Sequence, residues 1–251
     1  MSNSISFVAG MIPDLTKEYD VCVLSSPGEY WNYLERYGNS VKRLEVTMER
    51  HISPIRDLKS LFGLIRVFRK EKPTMVHSMT PKAGLLSMMA AWFCRVPVRV
   101  HTFTGLVFPT ATGLTQKILI LTDRITCACA THIVPEGEGV KNDLINYRIT
   151  KKPLKVLGHG NVRGIDLAHY NPELPEVQAD AAKIRKPGIF TFIFVGRLVR
   201  DKGINELVEA FERLNKEIPA IRLILVGRQE PKLDPLKPET IAKIDNNKNI
   251  E

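Results

Sequence analysis

Short β-branched runs alternate with helix-length apolar stripes along almost the whole chain, and this alternation leaves few folds open. Strand-like runs fall at 21–25, 43–46, 74–77, 96–101, 132–134 and 154–157, with helical periodicity at 29–37, 55–69, 83–94, 114–130 and 139–146 between them. Strands separated by helices run parallel, and a parallel sheet is covered by those helices on both faces. A second unit opens with strand 190–195, helix 204–217 and strand 221–226. The expected fold class is therefore α/β with a mostly parallel sheet. Its expected organisation is a first domain over 1–172, a linker over 173–187 rich in proline and charge, and a second, incomplete domain over 188–251. A chain of 251 residues, 44% of them hydrophobic, is long enough for two cores.

Both ends read as unfinished. The start offers helical-looking residues 6–18 with only 5–8 as a competing strand, and after Val226 the chain reads as a polar segment, so the second unit is expected to hold two strands only. The four cysteines show no C-x-x-C spacing, and neither zinc nor a disulfide framework is expected. Nothing resembles a secretory signal, and the longest apolar stretch, 83–94, is too short to span a bilayer; reduced cytosol is the expected compartment.

The formal charge is +9, concentrated in residues 1–187, with 25 Lys and Arg against 17 Asp and Glu. Much of it lies in IRDLKSLFGLIRVFRKEK, 55–72, where Ile55, Leu58, Leu61, Phe62, Ile65 and Phe68 repeat at helical spacing while Arg56, Lys59, Arg66, Arg69 and Lys70 avoid that stripe. Two readings fit this helix. It packs on the sheet with a solvated basic face, the commoner arrangement, or it docks peripherally on an anionic membrane surface. Nucleic acid is not the expected partner, because no stacking aromatics are interleaved with the cations.

Between Phe190 and Gly203 the chain reads FTFIFVGRLVRDKG. A buried strand is expected to deliver Gly196 to the carboxyl edge of a sheet. The helix starting near Ile204 then turns its free N–H groups toward that edge, beside Arg197 and Lys202. Diphosphate fits such a site, since Arg bridges phosphate oxygens and Lys adds a mobile point charge. The plainer reading makes Arg197, Arg200 and Lys202 solvated loop charges balanced by Asp201 and Glu206. Loops after the strands of the first unit carry HSMTPKAG, with His77 at a strand end and Lys82 at a helix start, and HTFTG, with His101 at another strand end. An accessible histidine there could change charge near neutral pH or stabilise positive charge through its ring or carbonyl. His132 reads as structural, and His51, His159 and His169 suggest no chemistry.

Taken in order, VHSMTPKAGLLSMMAAWFCRVPVRVHTFTGL, NVRGIDLAHYNP, FIFVGRLVRDKGINELVEAF and IRLILVG resemble the successive motifs of the family 4 glycosyltransferases, especially bacterial capsule and O-antigen sugar transferases. The resemblance implies a GT-B fold, two Rossmann-like domains with the acceptor on the first and the nucleotide sugar on the second. It implies a retaining, metal-independent enzyme with no cofactor, whose donor is a nucleotide-diphosphate sugar, by family habit a UDP-sugar, and whose acceptor is a lipid-linked saccharide. It places Gly196, Arg197, Lys202 and Gly203 on the donor diphosphate, His101 near the reacting sugar carbon, and His77 and Lys82 toward the acceptor. Gly164, Ile165 and Asp166 resemble the N-G-I-D signature before the hinge, with the asparagine displaced to Asn161.

Breaking a sugar–diphosphate bond leaves negative charge on phosphate, which preorganised cations and helix N–H groups stabilise. The sequence also departs from the family. A glycine-rich loop after a first strand and an E-x7-E motif are not found within it, and VPEGEGV, 134–140, stands where a P-N-S or S-E-S loop is usual. A fragment inactive by itself is the expectation from these departures. Two alternatives stay open: a noncatalytic or split subunit supplying acceptor and membrane contacts, and a sugar-nucleotide epimerase on the same scaffold.

Overall fold

The structure is a computed structural model that describes residues 5–49, 53–162, 164–231 and 234–251. His51 lies outside the described residues. The chain divides into two units, Met1–Asp166 and Leu167–Glu251. Among the described residues all paired strands run parallel, in sheets of two and three strands in the first unit and one sheet of two in the second.

In the first unit, helices α1 (Ile5–Ala9) and α2 (Ile12–Leu15) precede β1 (Val21–Ser25), and a 3-10 segment (Glu29–Ser40), broken at Gly38, leads to β2 (Val41–Glu45). Strands β1 and β2 pair in register from Val21 with Val41 to Ser25 with Glu45. Ser26 then ties the two strand ends, its hydroxyl donating to the Met48 carbonyl at 3.0 Å and accepting from the Met48 N–H at 2.7 Å. Helix α3 (Pro54–Glu71) follows, then β3 (Met75–Ser78), α4 (Pro81–Phe93), β4 (Val98–Phe103), α5 (Gly113–Cys129), β5 (His132–Pro135) and α6 (Glu138–Asn146). The sheet order is β3-β4-β5. Helix α4 buries Gly84, Leu86, Met88, Ala90 and Ala91 against α3, α5 and the sheet, while Trp92 and Phe93 at its end stay exposed. The expected strand at 154–157 is reduced to one bridge between Leu154 and Ile133.

The second unit holds α7 (Pro175–Ile184), β6 (Phe190–Val195), α8 (Ile204–Glu217), β7 (Ile221–Val226) and α9 (Pro238–Asn246). Three expectations change here. The segment 173–187 carries helix α7, none of whose residues is buried, and the buried Arg222 of β7 fastens its end by donating to the Ile184 carbonyl. The strand expected to be buried is open on one face: α8 covers one side of the two-stranded sheet, while Ile193 and Val195 are 64% and 72% exposed on the other. The polar tail is structured too. Ile241 and Ile244 of α9 pack on the second core, and Ile250 bridges Leu223 in parallel, so β7 gains a partner on its second edge. Among the described residues, no helix is long and apolar enough to cross a membrane.

Candidate functional site

In the first unit, the parallel register sets Ser78 beside His101 and His77 beside Val100. The Ser78 hydroxyl lies 2.8 Å from His101 Nδ1, and His77 Nε2 lies 2.8 Å from the Thr102 hydroxyl. The His101 ring is 1% exposed, meets Phe103 edge to face with centroids 4.5 Å apart, and lies over the Cα of Gly84 in α4. A Cβ on Gly84 would fall inside the ring's van der Waals envelope, so glycine at this position lets the helix close over the histidine. Burial, with the neighbouring His77 second, lowers the His101 pKa to about 4. The expectation of an accessible, switching histidine is therefore corrected: His101 is enclosed and neutral at physiological pH. His77 stays more open at the sheet edge, and desolvation also moves its pKa down.

Lys82, in the first turn of α4, forms an ion pair with Asp57 in the first turn of α3; both side chains are mostly covered. Asp57 also accepts the Ser53 N–H at 3.0 Å, so one carboxylate holds a helix start and orients the lysine. Sequence patterning missed this partner because Asp57 reads as part of a charged surface; its distance from Lys82 along the chain hides the contact. Beyond β5, the Glu136 carbonyl accepts the Asn161 N–H at 2.6 Å, which fastens the 158–161 turn against the start of α6. Burial pushes the Glu136 carboxyl pKa up.

In the second unit, β6 ends at Val195, Gly196 follows, and a 3-10 turn (Arg200–Lys202) leads through Gly203 into α8. Gly203 sits at φ 74°, ψ 22°, the left-handed region that favours glycine, and no side chain caps the helix it starts. Arg197, Lys202 and this uncapped terminus lie on one short loop, as expected from the sequence. Two carboxylates that the sequence reading passed over also reach it. Glu230 pairs with Arg197 at 2.7 Å, and Asp234 accepts the Asp201 N–H at 2.8 Å while lying 3.4 Å from Arg200 Nε. Asp201 and Glu206, the expected balancing charges, form no ion pair among the described residues. Lys202 is exposed and also makes no ion pair among them. The loop can therefore bind an anion through Lys202 and the α8 N–H groups directly, and through Arg197 by exchange with Glu230.

A glycine-led basic loop entering a helix, in a chain of parallel α/β units, places the chain in the class of open-sheet α/β proteins, whose ligand sites form at strand carboxyl ends. The comparisons narrow it. The family profile described as "Glycosyl transferase 4-like domain" matches residues 8–160, and that described as "Glycosyl transferases group 1" matches residues 177–250. The chain belongs to the glycosyl transferase 4-like family. It is 34% identical over 232 residues to the capsular polysaccharide biosynthesis glycosyltransferase CapM of Staphylococcus aureus, covering 92% of this chain and 60% of that protein. It is 29% identical over 220 residues to the UDP-Gal:alpha-D-GlcNAc-diphosphoundecaprenol alpha-1,3-galactosyltransferase of Escherichia coli, covering 85% and 55%. The chain thus spans little more than half the length of these curated relatives.

Among solved structures, Anabaena Alr3699/HepE in complex with UDP and glucose superposes with TM-score 0.69 at 15% identity, covering 98% of this chain and 64% of the other. The UDP-GlcNAc 2-epimerase of Neisseria meningitidis bound to UDP-GlcNAc gives 0.67 at 16%, covering 100% and 69%. A glycosyltransferase from Rickettsia africae gives 0.65 at 18%, covering 100% and 63%. At these identities the likeness establishes the fold, which is α/β of the GT-B type.

Proposed function

We propose that this chain carries the core of a glycosyltransferase that moves a sugar from a nucleotide-diphosphate donor, a UDP-sugar first among candidates, to a lipid-linked saccharide during surface-polysaccharide synthesis. The observation carrying this reading is the loop from Gly196 through Arg197 and Lys202 to Gly203, which opens the uncapped helix α8. As the sugar–phosphate bond lengthens, negative charge gathers on the leaving diphosphate. Arg197, Lys202 and the first N–H groups of α8 stabilise it without needing to reorganise. In this reading the reaction retains anomeric configuration and needs no metal, so these cations carry the leaving-group charge. His101, neutral and enclosed, contributes shape rather than charge by fixing the carboxyl end of β4. His77 and Lys82 lie on the acceptor side.

Both curated relatives are named as transferases, one with a diphosphoundecaprenol-linked acceptor, which favours transfer over the epimerase alternative. The protein works at the inner face of the membrane in this reading, held peripherally by α3. That helix turns Ile55, Leu58 and Phe62 outward among Lys59, Arg66 and Arg69, and such a mixture suits an anionic leaflet.

The test incubates the intact protein with a labelled UDP-sugar and a lipid-linked saccharide. Transfer to lipid with release of UDP is expected, and Lys202→Ala lowers the rate about a hundredfold. Interconversion of the free sugar nucleotide without transfer would instead favour the epimerase, and wild-type turnover in Lys202→Ala would remove the lysine from the site.

A further inference from the structure

Helix α5 carries a second outward face of the same chemistry as α3, in a segment whose sequence signals only a helix on a sheet. At 3.6 residues per turn, Leu114, Ile118, Leu121 and Ile125 fall within a sector of about 60°. The first three are 73%, 45% and 57% exposed. Lys117 and Arg124 adjoin that sector, and both are accessible. The only carboxylate on the helix, Asp123, lies on the opposite, inner arc, where burial raises its pKa to about 6. Helix α3 is arranged in the same way. Its two carboxylates are both paired, Asp57 with the mostly covered Lys82 and Glu71 with the exposed Lys42, while Lys59, Arg66 and Arg69 and large apolar side chains face outward. Helices α3 and α5 both pack against α4, which rests on β3 and β4.

We propose that α3 and α5 together form one bilayer-docking surface, with α5 inserting Leu114, Ile118 and Leu121 among the acyl chains while Lys117 and Arg124 meet anionic headgroups. The inference rests on the proposal that the protein works at a membrane and extends it to a second helix. Charge complementarity selects the occupant. Among the described residues the cations of this face outnumber its carboxylates, Glu49 beside Arg56 being one that reaches it, so an anionic lipid surface complements it. A second copy of the chain would set cation against cation. Two separated helices also make docking bivalent, so each reinforces the other's hold on the same vesicle.

The experiment is co-sedimentation of the intact protein with vesicles of phosphatidylcholine, with or without phosphatidylglycerol, at low and high salt. Binding to the anionic vesicles, weakened by salt, is expected. The pair Leu114→Glu and Leu121→Glu should weaken it about tenfold or more, because it removes apolar insertion and adds like charge to the lipid. These side chains are exposed, so circular dichroism and the thermal melting curve should match wild type. The pair Ile55→Glu and Phe62→Glu tests α3 separately. Loss of binding in the α3 pair alone would overturn the role of α5 while leaving membrane docking intact. Absence of wild-type binding to anionic vesicles would overturn both. A concentration-dependent dimer abolished by the α5 pair would make the face a protein interface and overturn the lipid assignment.

Discussion

Arg197 meets the Glu230 carboxylate at 2.7 Å, so under the proposed function an incoming diphosphate takes the guanidinium from a protein partner as well as from water. The pair is half open to solvent, and exposed pairs contribute about 0–1 kcal/mol. Glu230→Gln should therefore tighten UDP binding by up to about fivefold, measured by titration calorimetry; unchanged or weaker affinity would show that the donor does not displace the carboxylate. The basic half of this site was legible because glycine, arginine and lysine fall within one loop at the end of a strand. Its acidic half was not, because Glu230 and Asp234 reach the loop from beyond β7 through pairing of β6 and β7. His101 shows the opposite failure. Its position at a strand end was legible, but its enclosure depends on Gly84, in the helix before it, and on Ser78, one strand over. Neither contact has a signature in local periodicity.

The strands and helix of 190–226 have the bounds that their sequence predicts, because β-branched and aromatic runs and a helical stripe are marked off there by glycine and proline. What local pattern does not encode is which face becomes buried. The apolar stripe of α3 divides, with Leu61, Ile65 and Phe68 turned toward the core beside Leu64 and Ile55, Leu58 and Phe62 turned out. Strand β6 divides as well, since only α8 covers its sheet. This predicts unequal sensitivity within one apolar motif. Ile204→Ala, in the second core, should cost about 2–5 kcal/mol by opening a cavity, whereas Ile193→Thr on the open face should cost less than about 1 kcal/mol. Urea unfolding of both variants checks the contrast, and equal losses would mean that the open face is covered in solution. Helix α9 escaped the reading because Leu236, Ile241 and Ile244 are sparse among charges, and Ile250 gains its strand character only by lying beside Leu223.

Across the whole molecule, two buried ionisable groups of the first unit pull the acid response in opposite directions. His101 has a folded pKa of about 4 against 6.5 for the free side chain, so the unfolded chain binds its proton first. Its contribution is full above pH 6.5 and is lost as pH falls toward 4, about 3 kcal/mol in all. Asp123 is raised from 3.8 to about 6, so it costs stability above pH 6 and recovers it as pH falls through the same window. Asp123→Asn should therefore stabilise the protein at pH 7 and leave a steeper loss between pH 6.5 and 4, read from denaturant midpoints across that range. A flat profile in the variant would show that His101 takes up its proton in the folded state as easily as in the unfolded one. By itself the sequence determined the parallel α/β class, the alternation of strands and helices from β1 to α6 and from β6 to β7, and the basic loop before α8, because each follows from periodicity and turn chemistry within a few residues. Tertiary structure alone decided that His101 is sealed and neutral, that Arg197 already holds a carboxylate, and that α3 and α5 turn apolar and basic side chains outward. Burial and ion pairing depend on which distant segments meet, and local pattern does not specify those meetings.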